Sequence, residues 1–189
     1  MRKLRVFESI SVDGHFTDAS DGMQWAHRAE ADADDEFTAW VGENASRGAG
    51  GGLVMGRVTY DMMAAWWPTD AAKQAMPIVA AGMNAATKYV ASREPQFAPR
   101  WENCVRLDGD AVAAVRALKA SAGPDLAVLG SGGLAAQLGA AGLVDDYQFV
   151  IIPVALGGGR TVFSRDVPLK LVDQRAFRCG NVVVTYVPA

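Results

Sequence analysis

The hydrophobic pattern divides this 189-residue chain into alternating strands and helices, then changes character near its end. "LRVFESISV" reads as a strand that stops at Asp13-Gly14. From His15 to Ala31 there is no clean period, which makes this stretch a long loop of the kind that carries function. "DADDEFTAWVGENAS" predicts a helix, with acids at its N-terminal end, where the dipole favours them, and Phe37, Trp40 and Val41 on one face. The glycine-rich run "GAGGG", Gly48 to Gly52, reads as a flexible connector. It leads to the strand "LVMG" and the helix "RVTYDMMAAWW", with Val58, Met62 and Ala65 on one face and Pro68 as its stop. "KYVAS" and "CVRL" are short strands, and "DAVAAVRALKASAG" is a helix capped by Asp110 and ended by Gly123-Pro124. The strand "LAVLG" then enters a glycine turn and the helix "LAAQLGAAG". Beyond it the pattern turns to strands: a long one in "DYQFVIIPVAL", and a hairpin of "LKLVDQRAFR" with "NVVVTYV" across "CGN". Alternating α/β units followed by a β-rich end predict a mostly parallel sheet with antiparallel edge strands, in one domain over residues 1–189.

Composition narrows the function. Half of the residues are hydrophobic and 21% are charged, the ordinary range of a soluble globular chain. A net charge of -3 excludes a broadly basic nucleic-acid surface. The charge is uneven: from Asp18 to Glu43 eight acids face Arg28 alone, so the remainder of the chain is positive and better suited to a phosphate-bearing ligand. Cys104 and Cys179 have neither disulfide-framework nor metal spacing and read as reduced thiols, which implies a cytoplasmic protein. The basic N-terminus breaks its apolar run with Arg5, Glu8, Ser9 and Ser11 and is not a signal peptide, and no apolar stretch reaches membrane-spanning length.

Four strand exits carry candidate chemistry. Gly130-Ser131-Gly132-Gly133 would let a phosphate reach bare amides at a helix start. Gly130, Gly132 and Ala135 fit a dinucleotide fingerprint, but the motif stands late in the chain, and Asp145 and Asp146 precede the next strand rather than end it, which argues against a true Rossmann unit. A role in strand-helix packing alone stays open for these glycines. At the second exit Gly56 allows close approach, Arg57 is a fork of donors suited to phosphate, and Thr59 offers a hydroxyl in the first helical turn. Taken alone, an arginine at this place is more often a solvated helix-start residue. Ser92 and Arg93 end the third strand and serve either a ligand or an ordinary polar turn. At the fourth, Asp13 and His15 face a ligand or form a plain turn, and Trp25 stacks on a planar substrate or anchors its loop; His27 has less to recommend it. The chain has no nucleophile motif and no transition-metal set, so an enzyme of this kind relies on a cofactor.

"SVDG", "LVMGRVTYDMMAAWWP", "KYVASR", "LAVLGSGGLAAQL" and "GLVDDYQFVIIPVALGGGRTVF" follow one another as in the dihydrofolate-reductase-like family. The chain most resembles the branch related to the C-terminal reductase domain of bifunctional riboflavin-biosynthesis deaminase/reductase proteins. The resemblance implies a dihydrofolate reductase-like three-layer α/β fold, a mostly parallel central sheet, antiparallel C-terminal strands, and NADPH. Gly56, Arg57 and Thr59 match the family's phosphate-holding motif. Ser92 and Arg93 match the segment at the ribose 2'-phosphate. Gly130, Ser131, Gly132, Gly133 and Leu134 match the turn beside the pyrophosphate and nicotinamide. Asp13 matches the substrate-lining S-x-D-G and would orient substrate or relay a proton, with His15 and Trp25 beside it. Two departures stand out: no single acid of "DADDEF" matches the pterin-protonating carboxylate, and Leu129 stands where the riboflavin-pathway reductases carry an acid. The expected activity is NADPH-dependent hydride transfer to a small planar heterocycle, pyrimidine- or pterin-like. The alternatives are the 5-amino-6-(5-phosphoribosylamino)uracil reductase of riboflavin biosynthesis, and an NADPH-binding protein without physiological reductase activity. The resemblance also implies a homodimer, with no nucleic-acid or membrane partner.

Overall fold

The computed structural model describes residues 1–26, 35–48 and 50–189, apart from the side chains of Asp35 and residues 46–48. The start of the first helix at Asp32, the acids Asp32 and Asp34, His27 and Ala49 therefore lie outside the described residues. The chain forms two compact units: Met1–Leu4 with Ala39–Ser131, and Arg5–Thr38 with Gly132–Ala189.

The first unit holds four strands: β2 (Gly52–Gly56), β3 (Thr87–Ala91), β4 (Cys104–Leu107) and β5 (Leu126–Leu129). They pair in the order β4-β3-β2-β5, all parallel. This is the predicted parallel part of the sheet, and its inner strand β2 is apolar and buried along nearly its whole length. The covering helices are α2 (Arg57–Trp66), α3 (Asp70–Ala75), α4 (Pro77–Ala85) and α5 (Ala111–Ala120). The helix α1 (Asp35–Gly48) crosses the unit boundary. The Asp110 carboxylate accepts from Ala113 N at 2.8 Å, the predicted cap of α5.

Two expectations fail in this unit. The hydrophobic pattern assigned no element between Pro68 and Thr87, yet α3 and α4 form there, started by the Thr69 cap on Ala72 N (3.2 Å) and by Pro77 at the first turn of α4. Alanine-rich stretches lack the polar-apolar contrast that reveals a helical face. The predicted inner face of α2 is the outer one: Val58 is 76% and Met62 49% exposed, and Tyr60 is buried with Thr59. Tyr60 wins because it joins Leu53, Met55, Val79, Met83, Val90, Phe97 and Trp101 in the core, and its hydroxyl accepts from Arg100 N (2.7 Å) and Trp101 N (3.0 Å). Lys88 is wholly buried there. Its ammonium donates to Met83 O and Asn84 O, both 2.9 Å, and lies 4.2 Å from the Trp101 ring centre, closing the C-terminal end of α4.

The second unit contains β1 (Leu4–Ser11, from Arg5 on), β6 (Asp146–Ile152), β7 (Leu169–Ala176) and β8 (Val182–Pro188), with α6 (Gly132–Ala140). β1 and β6 are parallel, whereas β6–β8 and β7–β8 are antiparallel, which is the predicted change of character. β6 ends at Ile152, short of the predicted Leu156, because Pro153 brings no amide to a ladder. Tyr147, Phe149 and Phe163 form an aromatic cluster with centroids 5.1–5.9 Å apart.

Candidate functional site

In the first unit the exits of β2, β3 and β5 meet, as the sequence implies. The Ser131 hydroxyl accepts from Gly56 N at 3.0 Å and donates to Leu129 O at 3.2 Å. The Thr59 hydroxyl donates to Gly130 O at 2.7 Å. These bonds tie the β2–α2 junction to the glycine turn. Gly130 takes the left-handed conformation that this turn requires, at φ +55°. Thr59 and Ser131 are thus cross-links, both buried, and the Thr59 proton is already engaged.

The N-terminus of α2 is open by comparison. Its cap is Gly56, no side chain satisfies its first amides, and no acid stands in its first turn. A Cβ at Gly56 would meet nothing within 4 Å. Arg57 is not the free fork that the sequence suggested. Its Nε donates to both Asp61 oxygens (2.9 and 2.8 Å), Nη1 bonds Glu94, and the guanidinium carbon lies 4.2 Å from the Phe97 ring centre. The Glu94 bond also brings the β3 exit to α2. Ser92 Oγ accepts from Glu94 N at 3.1 Å, and Arg93 beside it is exposed. Sequence reasoning missed Asp61, Glu94 and Phe97; the signal was there in "ASRE", whose acid follows directly on the two residues singled out.

In the second unit Asp13 and His15 come together at the end of β1. Asp13 accepts from Ser11 Oγ (2.6 Å), Leu156 N (3.1 Å) and Gly157 N (2.7 Å). These bonds, the Ser11 hydroxyl first, hold its carboxyl well below the usual range. An ionised carboxylate with both oxygens engaged suits anchoring of the 156–157 segment better than a proton relay. His15 Nδ1 is buried 3.5 Å from Asp13 Oδ2 and has no hydrogen-bond partner. Trp25 is 5% exposed, and its indole N–H is buried without an acceptor. No described contact joins Trp25 to Asp13 or His15. An apolar cavity of about 300 Å³, lined by Ile10, Phe149, Ile151, Phe163 and Val184 among others, reaches Gly14 and none of these three.

The later glycines are filled by protein. A Cβ at Gly132 would overlap the Phe16 ring, and one at Gly133 would lie 2.7 Å from an Arg160 nitrogen. Both glycines are already inside α6, which starts two residues before the predicted helix. Leu134 is buried at 7% exposure and packs rather than presents its side chain. Glu8, also missed, sits on β1 opposite Phe149. It is 1% exposed with Oε2 unpartnered, and burial pushes its pKa up to about 8. Its signal was an acid on the same strand phase as Leu4 and Val6.

Parallel strands whose exits converge on an uncapped helix start, followed by an antiparallel C-terminal hairpin, define the dihydrofolate-reductase-like class of α/β proteins. Within that class the chain belongs to the RibD C-terminal domain family, whose model matches residues 2–185. It is 24% identical over 192 residues to the uncharacterized protein YyaP of Bacillus subtilis (strain 168), covering 98% of this chain and 94% of that protein. Among solved structures, a protein of Shewanella sp. PV-4 named for riboflavin biosynthesis superposes with a TM-score of 0.70 at 22% identity, over 99% of both chains. The diaminohydroxyphosphoribosylaminopyrimidine deaminase/5-amino-6-(5-phosphoribosylamino)uracil reductase of Thermotoga maritima gives 0.66 at 15% identity, over all of this chain and 57% of that one. A pyrimidine reductase-like protein of Corynebacterium diphtheriae gives 0.60 at 13%, over all of this chain and 92% of that one. Among the described residues no helix is long and apolar enough to cross a membrane.

Proposed function

We propose that this protein is an NADPH-dependent reductase that transfers hydride to a small planar heterocycle, pyrimidine- or pterin-like. The observation that carries the proposal is the uncapped start of α2, open over Gly56 and cross-linked to the glycine turn, in a chain of this family. Bare amides at a helix start, with no acid in the first turn, fit a phosphate group. The amides of Arg57 to Thr59 would hold the cofactor phosphates, Gly130 and Ser131 would shape the floor beside them, and Arg57, Ser92 and Arg93 would face the 2'-phosphate. NADPH, when bound, supplies the hydride. The unsatisfied Trp25 indole N–H is a donor for a substrate carbonyl, and Asp13 fixes the 156–157 segment. In this reading Gly132, Gly133 and Leu134 serve through their backbone and packing.

A second reading, the riboflavin-pathway pyrimidine reductase, draws support from the Thermotoga relative. Leu129 weighs against it. The residue packs on the core of the first unit, in the place where the resemblance leads one to expect an acid. Binding without physiological turnover is the reading that remains if no substrate is found.

The test is a titration of NADPH and NADH, followed by tryptophan quenching and thermal shift. NADPH should bind more tightly than NADH and raise the melting temperature by mass action. Arg57→Ala should weaken NADPH by about tenfold or more and NADH little, since the guanidinium acts on the extra phosphate. If neither nucleotide binds, the reductase reading is lost. NADPH oxidation on addition of pyrimidines or pterins then separates a reductase from a binding protein.

We also propose a homodimer. The apolar runs "FVIIPVAL" and "NVVVTYV" contribute Phe149, Val150, Ile152, Val183 and Val184 to the buried core of their own unit, and leave Ile151 and Tyr186 half-buried. Leu171 and Val172 on β7, in the second unit, are exposed apolar side chains that a second copy would cover. Light scattering at micromolar concentration should report twice the chain mass; a monomer would end this proposal.

A further inference from the structure

We infer that Glu94 sets the selectivity for the 2'-phosphate: its carboxylate holds Arg57 in the nucleotide-free protein, and the phosphate binds by taking its place. The inference rests on the nucleotide reading above. Three groups surround the guanidinium, and they are not equivalent. Asp61 stands one turn along the same helix and takes Nε with both oxygens. Phe97, 8% exposed, has its ring centre 4.2 Å from the guanidinium carbon. Together they fix the position of Arg57. Glu94 comes from the β3 exit, and its side chain is 60% exposed. Its backbone is pinned by the Ser92 hydroxyl, which accepts from Glu94 N, and by Phe97 N, which donates to Glu94 O at 3.1 Å.

A carboxylate and a phosphate compete for the same donors of an arginine fork. An exposed ion pair contributes little, so Glu94 yields its place at small cost. As a like charge it also opposes the approach of the phosphate. Arg93, exposed next to Glu94 and without a described partner, supplies a second cation on the same turn. The arrangement is an internal anion seated where the ligand's anion would go, and Asp61 keeps the fork aimed when Glu94 leaves.

The probes are 2',5'-ADP and 5'-AMP, which differ by the 2'-phosphate, with binding measured by calorimetry at low salt. Glu94→Gln should tighten 2',5'-ADP by about three- to fivefold, the upper scale of one exposed ion pair, and leave 5'-AMP within about twofold. In an Arg57→Ala background the same change should bring no gain. Unchanged 2',5'-ADP affinity in Glu94→Gln overturns the inference. So does an equal gain without Arg57, because the effect would then be one of general charge. Failure of the unaltered protein to bind either probe is a different result: it overturns the nucleotide reading itself.

Discussion

Glu8→Gln should make the protein more stable at alkaline pH and remove a slope from its stability profile. Glu8 is 1% exposed, its Oε2 has no partner, and burial raises its pKa to about 8 from an ordinary value of 4.5. The folded state therefore keeps a proton that the unfolded chain has already released. Below pH 4.5 both states are protonated and the group is neutral in the balance. Between 4.5 and about 8 the native state binds more protons than the unfolded one, so stability falls as the pH rises. At roughly 1.4 kcal/mol per unit, the loss is on the order of 5 kcal/mol by about pH 9. Glutamine keeps the shape and carries no charge. The difference between the two proteins should be near zero at about pH 4 and grow in favour of the variant up to about pH 8. Urea unfolding from about pH 4 to about pH 9 reads this directly, and parallel profiles would show that Glu8 is ionised or solvated in the folded state.

Gly159→Ala should be strongly destabilising where its neighbour is tolerant. Gly159 has φ +136°, a region essentially closed to residues with a side chain. A Cβ there would land on the Thr17 carbonyl oxygen and lie 2.8 Å from its carbon, and backbone does not swing aside as a side-chain tip does. The two segments are also tied by Phe16 N to Arg160 O (2.8 Å) and Arg160 N to Thr17 Oγ1 (3.1 Å). Strain and overlap together should cost about 3 kcal/mol or more. Gly158, next in the same run, would meet nothing within 4 Å and has no positive φ, so Gly158→Ala should stay within about 0.5 kcal/mol. Equal melting temperatures for the two variants would mean that residues 16–18 and 159–160 separate freely. A large loss confined to Gly159 would show that the loop after β1 is held by backbone.

The elements that could be read from the chain are those with a strong local signal. β1 ends at the turn its Asp13-Gly14 announces, α5 begins at its aspartate cap, and the β7–β8 hairpin closes across Cys179-Gly180-Asn181. Each depends on a side chain acting on its own neighbours. α3 and α4 escaped because both are short and their repeated alanines weaken the periodic contrast. The face of α2 was inverted because two apolar stripes run along it, and periodicity does not say which one meets the sheet.

The candidate site divides along the same line. Sequence alone determined which residue types stand at the strand exits: glycine at 56 and 130, hydroxyls at 59, 92 and 131, arginine at 57 and 93. It determined the α/β alternation that places them at strand ends, because each follows from spacing along the chain. Only the tertiary structure decided what those groups do. It turned Thr59 and Ser131 into cross-links, filled the space over Gly132 with Phe16, engaged Asp13 with two backbone amides, and put Asp61, Glu94 and Phe97 around Arg57. Those partners lie up to 144 residues away. A hydrogen bond or an ion pair depends on distances of a few ångströms, and for residues so far apart in sequence only the packing of the fold sets them.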